Sequence, residues 1–132
     1  MKRLVLIIAL LVATSIWSEM SDKEINSLIN IAASDYSSNL PLNVDAATTL
    51  IQVYAGMERD MVYKYMLKLK SSVSLEEAKK LIKPYAFQTH TNNYCSQPEL
   101  KIFRDEGVTF EHNYVDRENN FIFKVRIYPE DC

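Results

Sequence analysis

The sequence predicts an α+β fold: an antiparallel four-stranded sheet built from two β-hairpins, with a helix before the first hairpin and helices between the two. Three patterns carry this expectation. Residues 61–70 alternate strictly, with Met61, Tyr63, Tyr65, Leu67 and Leu69 on one side and Val62, Lys64, Met66, Lys68 and Lys70 on the other. A period of two with lysines on one side describes a strand with one buried and one wet face. The same alternation returns at residues 108–114 and 121–128, on either side of the polar turn 116–120. Between and before these stretches, apolar residues recur at helical spacing behind Ser-x-x-Glu capping signals.

The first helix begins at Ser21, whose hydroxyl and the Glu24 carboxylate three residues later can satisfy each other's free amides. Ile25, Leu28, Ile29, Ala32 and Tyr36 then form one apolar stripe. The helix should end near Ser37–Asn39, because Leu40-Pro41 cannot continue it. A strand at 48–55 and the turn 56–60 lead into the alternating strand 61–70. A second capping box at Ser74-Leu75-Glu76-Glu77 opens a helix carrying Ala78, Leu81, Ile82, Tyr85 and Ala86, which Pro84 should kink or restart. The segment 89–93 (Thr-His-Thr-Asn-Asn) reads as a polar loop. A third capping box, Ser96-Gln97-Pro98-Glu99, should start a short helix that buries Leu100 and Phe103 and ends at Gly107. In the last hairpin Val108, Phe110, His112 and Tyr114 face inward, as do Phe121, Phe123, Val125 and Ile127, leaving Ile122 and Tyr128 on the opposite side.

The N-terminus has a different character. Lys2 and Arg3 precede an apolar run from Leu4 to Trp17, broken by Thr14 and Ser15. That is the layout of a secretory signal, and the run is too short for the roughly 20 residues a membrane span requires. The expected organisation is a signal peptide at 1–18 and a single α+β domain at 19–132; cleavage after Ser15 satisfies the small-x-small rule better than cleavage after Ser18. No cysteine follows the apolar run, which argues against a lipid anchor. The mature charge becomes −4, an ordinary value that speaks against a nucleic-acid partner. With two glycines and four prolines, neither disorder nor repeats are expected.

The chain holds two cysteines, Cys95 and the final residue Cys132. In an oxidising compartment an even count reads as a bridge, here with one possible connectivity, and it would pin the last strand. His90, Cys95, His112 and Cys132 form a nominal zinc ligand set, but the short paired spacings of structural zinc sites are absent. A Cys–His nucleophilic pair would need a free thiol within hydrogen-bond reach of an imidazole, which the spacing of His90 and Cys95 does not secure. No phosphate-binding glycine loop, nucleophile elbow or H-E-x-x-H motif occurs, so neither a cofactor nor an enzyme is expected. The residues offered for binding are Lys64, Lys68, Lys124 and Arg126, a basic stripe on the outer sheet face, with Tyr128 as an exposed aromatic contact.

Leu40-Pro41-x-x-Val44-Asp45, followed by Thr49-Leu50, Tyr63-x-Tyr65, Cys95, Gly107-Val108, Tyr114, Asp116 and the terminal Asp131-Cys132, resembles a group of small exported bacterial proteins. These share a Leu-Pro-x-x-Val-Asp entry, a Tyr-x-Tyr strand and an Asp-Cys ending. The resemblance spans residues 40–132 and implies export, the disulfide and the two hairpins; it implies no activity. The functional expectation is a periplasmic or secreted, non-enzymatic binding module for a protein or envelope component, with an inhibitor or immunity-type protein as a special form. The alternatives are a structural accessory of an envelope secretion or pilus assembly and, with less support, a small hydrolase or thiol enzyme. No stable membrane span is expected after signal cleavage.

Overall fold

The structure, a computed structural model, describes residues 20–132; the expected signal peptide at 1–18 lies outside the described residues. Helix α1 (Asp22–Ser37) is followed by strands β1 (Leu42–Asn43), β2 (Thr48–Ala55) and β3 (Asp60–Leu67). Helix α2 (Leu75–Ser96), a 3₁₀ turn (Pro98–Leu100) and the short helix α3 (Lys101–Asp105) lead to β4 (Thr109–Val115) and β5 (Phe121–Ile127). A second 3₁₀ turn, Pro129–Asp131, ends the chain.

The α+β class and both hairpins are present, but the sheet differs from expectation in two ways. It has five strands, in the order β1-β2-β3-β4-β5, and its central pair β3–β4 is parallel rather than antiparallel. The reason is length. Helix α2 has 22 residues and so rises about 33 Å, enough to carry the chain back past the roughly 26 Å of β3. The chain therefore re-enters the sheet where β3 began, with Asp60 beside Thr109 and Met61 beside Phe110. A hairpin–helix–hairpin order thus closes around a βαβ crossover. The extra strand β1 pairs only Leu42 and Asn43 with β2.

Of the three expected capping boxes, one forms in full and one by half. Ser21 and Glu24 form the reciprocal box, and Ser74 accepts the Glu77 amide at the start of α2. The third box does not form: α2 runs through Pro84 and His90 as far as Ser96, and no side chain caps the 3₁₀ turn that follows. What extends α2 through the polar stretch 89–93 is an inward row at four-residue spacing, Ala78, Ile82, Ala86, His90 and Tyr94. Leu81 and Tyr85, expected on the inner face, are largely exposed.

Helices α1 and α2 lie on the same face of the sheet, α1 against β2 and α2 against β5. Beneath them Met61, Val108, Phe123 and Ile127 are almost fully buried, together with Ile25 and Ile29 of α1. The inner and outer faces follow the predicted alternation along β3 and β4. In β5 the pattern fails at its start: Ile122 is buried and Phe121 is exposed, reversing the expectation. The register shifts between Tyr114 and Val115, where Phe121 pairs, and such an irregularity breaks the two-residue period locally.

Gly107 closes α3 in a Schellman arrangement, its amide bonding to the Arg104 carbonyl and the Val108 amide to the Phe103 carbonyl. Its φ is +73°, and a Cβ there would meet no atom within 4 Å. The cost of Gly107→Ala is therefore purely conformational. We expect about 1 kcal/mol of lost stability in urea unfolding, with an unchanged circular dichroism spectrum.

Candidate functional site: an aromatic cleft between two helices

Because α1 sits over β2 and α2 over β5, a cavity remains above the middle of the inner sheet face, whose own side chains stay buried. This cavity is a cleft of about 730 Å³. Its floor is the alternating inner face of β3 and β4: Tyr63 and Tyr65 on one strand, Phe110, His112 and Tyr114 on the other. Parallel pairing sets Tyr63 beside His112 and Tyr65 beside Tyr114, so the rings form a two-column pavement. Ring centroids lie 4.8 Å apart for Tyr63–His112 and 4.7 Å apart for Tyr65–Tyr114, both stacked. Tyr36, at the end of α1, meets Tyr63 edge-on at 5.6 Å.

Helix α2 contributes His90, Tyr94 and, at the rim, the exposed Tyr85. The imidazoles of His90 and His112 are parallel to within 4° and stack at 3.6 Å between centroids. Each has a phenol at one ring nitrogen: Tyr65 Oη lies 2.9 Å from His112 Nδ1, and Tyr114 Oη lies 2.6 Å from His90 Nε2. A phenol O–H can donate to such a nitrogen only while the imidazole is neutral. Burial enforces that state. It pushes the His90 pKa down to about 4, and it holds His112 well below the usual range, with the neighbouring His90 adding to the effect. Burial likewise raises the Tyr65 and Tyr114 hydroxyls. The cleft floor is thus uncharged at neutral pH, polar at its hydroxyls and aromatic elsewhere.

Cys95 and Cys132 are joined, with Cα atoms 5.4 Å apart, so the disulfide expected from the sequence forms. It removes both thiols from any zinc or nucleophile reading. Among the described residues, no group of three or more His, Cys, Asp or Glu side chains is placed to hold a metal ion. No helix among them is long and apolar enough to cross a membrane.

The basic stripe lies on the other side of the sheet from the cleft. Lys64 and Lys124 flank Asn113 in one cross-strand row, while Lys68 lies just past the end of β3. Arg126 is committed internally: its guanidinium donates to Glu111 Oε1 at 2.6 Å and to Asp60 Oδ1 at 3.5 Å. It also donates to Tyr128 Oη at 3.0 Å. The outer face therefore mixes Lys64 and Lys124 with a carboxylate cluster around Arg126. Burial raises the Asp60 pKa, and although burial also acts on Glu111, hydrogen bonds from Asn113 and Arg126 bring that carboxyl below its ordinary value.

From the sequence, His90 reads as part of a polar loop and His112 as a satisfied or half-exposed strand residue, and the cleft is not visible. The available signal was the four-residue row on α2 ending in His90 and Tyr94, set against the Tyr-x-Tyr and Phe-x-His-x-Tyr alternations. Of the residues that carry the resemblance to small exported proteins, Val44, Asp45, Leu50, Tyr63, Tyr65 and Tyr114 all line the cleft.

Neither a family model nor a curated protein matches the sequence. Solved structures do match. A Pseudomonas aeruginosa protein described as secreted superposes with a TM-score of 0.72 at 11% identity, over 86% of this chain and 97% of that one. EpsS, a pilotin of the Vibrio vulnificus type 2 secretion system, gives 0.69 at 10% identity, over 84% and 94% of the two chains. AspS, the type II secretion pilotin of Vibrio cholerae, gives 0.63 at 12% identity over the same shares. At such identities the likeness concerns the fold: this chain shares its α+β architecture with a protein described as secreted and with two secretion pilotins.

Proposed function

We propose that the protein is an exported, non-enzymatic accessory of an envelope secretion assembly, acting by holding a segment of another protein in the cleft between α1 and α2. The observation that carries the reading is the cleft itself. It is a concave aromatic surface with hydroxyls at its floor, and among the described residues it holds neither a free thiol nor a set of metal-ligating side chains. Tyrosine-lined concavities favour binding, since each ring offers large area and a polar tip at little entropic cost. The fold shared with two pilotins supports the secretion setting, and the formed disulfide supports an oxidising compartment, periplasm or medium. The outer sheet face is a weaker candidate for the same role, because Arg126, at one end of its basic stripe, is already paired to Glu111 and Asp60.

The test is blue-native electrophoresis of envelope extracts from cells expressing the tagged protein. Co-migration with a large envelope complex is expected, and Tyr85→Lys at the exposed rim should abolish it while the purified variant keeps its unfolding midpoint. Migration of the wild-type protein alone would reject the secretion reading. Retention of the Tyr85→Lys variant in the complex, combined with loss through Lys64→Glu and Lys124→Glu, would move the contact to the outer sheet face.

A further inference from the structure

We propose that the occupant of the cleft is a cationic amphipathic segment, with apolar side chains seated on the tyrosine–histidine floor and lysine or arginine side chains along its edges. This rests on reading the cleft as a protein-binding groove, and it specifies the chemistry of what enters.

The charge inventory argues for it. Among the described residues that line the cleft, the two with ionised side chains at neutral pH are Asp45 and Glu99, and both are exposed at the rim. Asp45 sits on the loop entering β2, and Glu99 on the 3₁₀ turn after α2. Among the described residues, no lysine or arginine lines the cleft. The lysines of α2, Lys79, Lys80 and Lys83, are exposed and stand outside it.

The floor points the same way. Tyrosine faces carry negative quadrupole density, which attracts a cation approaching within about 6 Å of the ring. The exposed Tyr85 and the half-exposed Tyr36 offer such rings near the mouth. The two histidines add no compensating positive charge, since burial holds them neutral. A segment bearing Asp or Glu would be brought against π faces and two carboxylates with nothing to pair with. Such like-charge contacts reject wrong partners. The cleft volume lies within the roughly 300–1,000 Å³ typical of ligand-sized sites, enough for a few apolar side chains of one face.

The experiment uses the oxidised exported protein and two short helix-forming peptides of identical pattern, one Leu/Lys and one Leu/Glu, each carrying a fluorophore for anisotropy. Tyr and His ring resonances are followed by NMR to locate binding. The Leu/Lys peptide should bind at least about tenfold more tightly than Leu/Glu, shifting the Tyr65, His90 and Tyr114 rings. Asp45→Lys and Glu99→Lys should each weaken it about three- to tenfold, while Glu118→Lys, in the β4–β5 turn outside the cleft, should leave it unchanged. Equal weakening by Glu118→Lys would overturn the proposal, since the attraction would then be diffuse. Tighter binding of Leu/Glu with the same ring shifts would overturn the charge assignment and leave the groove reading standing. If neither peptide moves the cleft resonances, the groove reading falls, and this proposal with it.

Discussion

Replacing Cys95 and Cys132 together by serine should lower the stability of the folded chain by about 4 kcal/mol. The bridge closes a loop of 37 residues, and the chain-entropy relation converts a loop of that length into about 4 kcal/mol of denatured-state restriction at 25 °C. Its position makes the folded state depend on it as well. Cys95 lies in the last turn of α2, and Cys132 is the final residue, reached from β5 through the 3₁₀ turn 129–131. The bridge therefore ties the end of the crossover helix to the end of the edge strand on which that helix packs. Without it, the segment after Ile127 keeps the contacts of its own turn, such as the Tyr128 amide to Asp131 Oδ2 at 2.8 Å. Urea unfolding of the double variant beside the oxidised parent checks the magnitude, and amide exchange checks the place, with protection lost first after residue 127. A cost under about 1 kcal/mol would mean that the reduced chain is already restricted by residual structure rather than by the bridge.

The sequence carried the local patterns and missed what depends on the path between them. Strand β2 was found with its observed bounds, the inner faces of β3 and β4 follow the alternation, and the Ser21–Glu24 box and the Gly107 terminus are as read. Each of these is fixed by residues within a few positions of one another. The parallel β3–β4 pair is different, because its direction is decided by the length of α2, and α2 was cut short at the polar stretch 89–93. That stretch is helical because His90 and Tyr94 find partners on and just before β4: the Tyr114 hydroxyl for the imidazole, and the Val108 carbonyl for the Tyr94 hydroxyl. Tertiary contact overrides weak local propensity there. Missing the helix meant missing the cleft, since His90 is the residue that joins wall to floor. Lys64, Lys124 and Arg126 lie on the sheet face away from the cleft, but the pairing of Arg126 to Glu111 and Asp60 depends on cross-strand register, which alternation alone does not supply.

Acidification should unfold the protein through its stacked histidines before its carboxylates matter. In the unfolded chain an imidazole titrates near 6.5, whereas His90 in the folded chain is held at about 4. Between these values the unfolded state binds a proton that the folded state refuses, so stability falls as pH falls and levels off below about 4. The full loss from His90 alone is about 3 kcal/mol, of which about 2 kcal/mol is gone between pH 7 and pH 5. His112 is depressed in the same direction, so it adds to the effect. The surroundings offer no rescue: Tyr63, Tyr65 and Tyr114 face the pair, Asp45 is felt by the Tyr114 hydroxyl, and among the described residues neither ring has a carboxylate partner. A proton on one ring also meets the other ring at 3.6 Å, so a second charge would be opposed by the first. His90→Gln removes one titration while leaving an acceptor for the Tyr114 hydroxyl. It should flatten the dependence of the urea midpoint between pH 7 and pH 5, whatever its cost at pH 7, and an unchanged slope in that variant would show that His90 does not carry the effect.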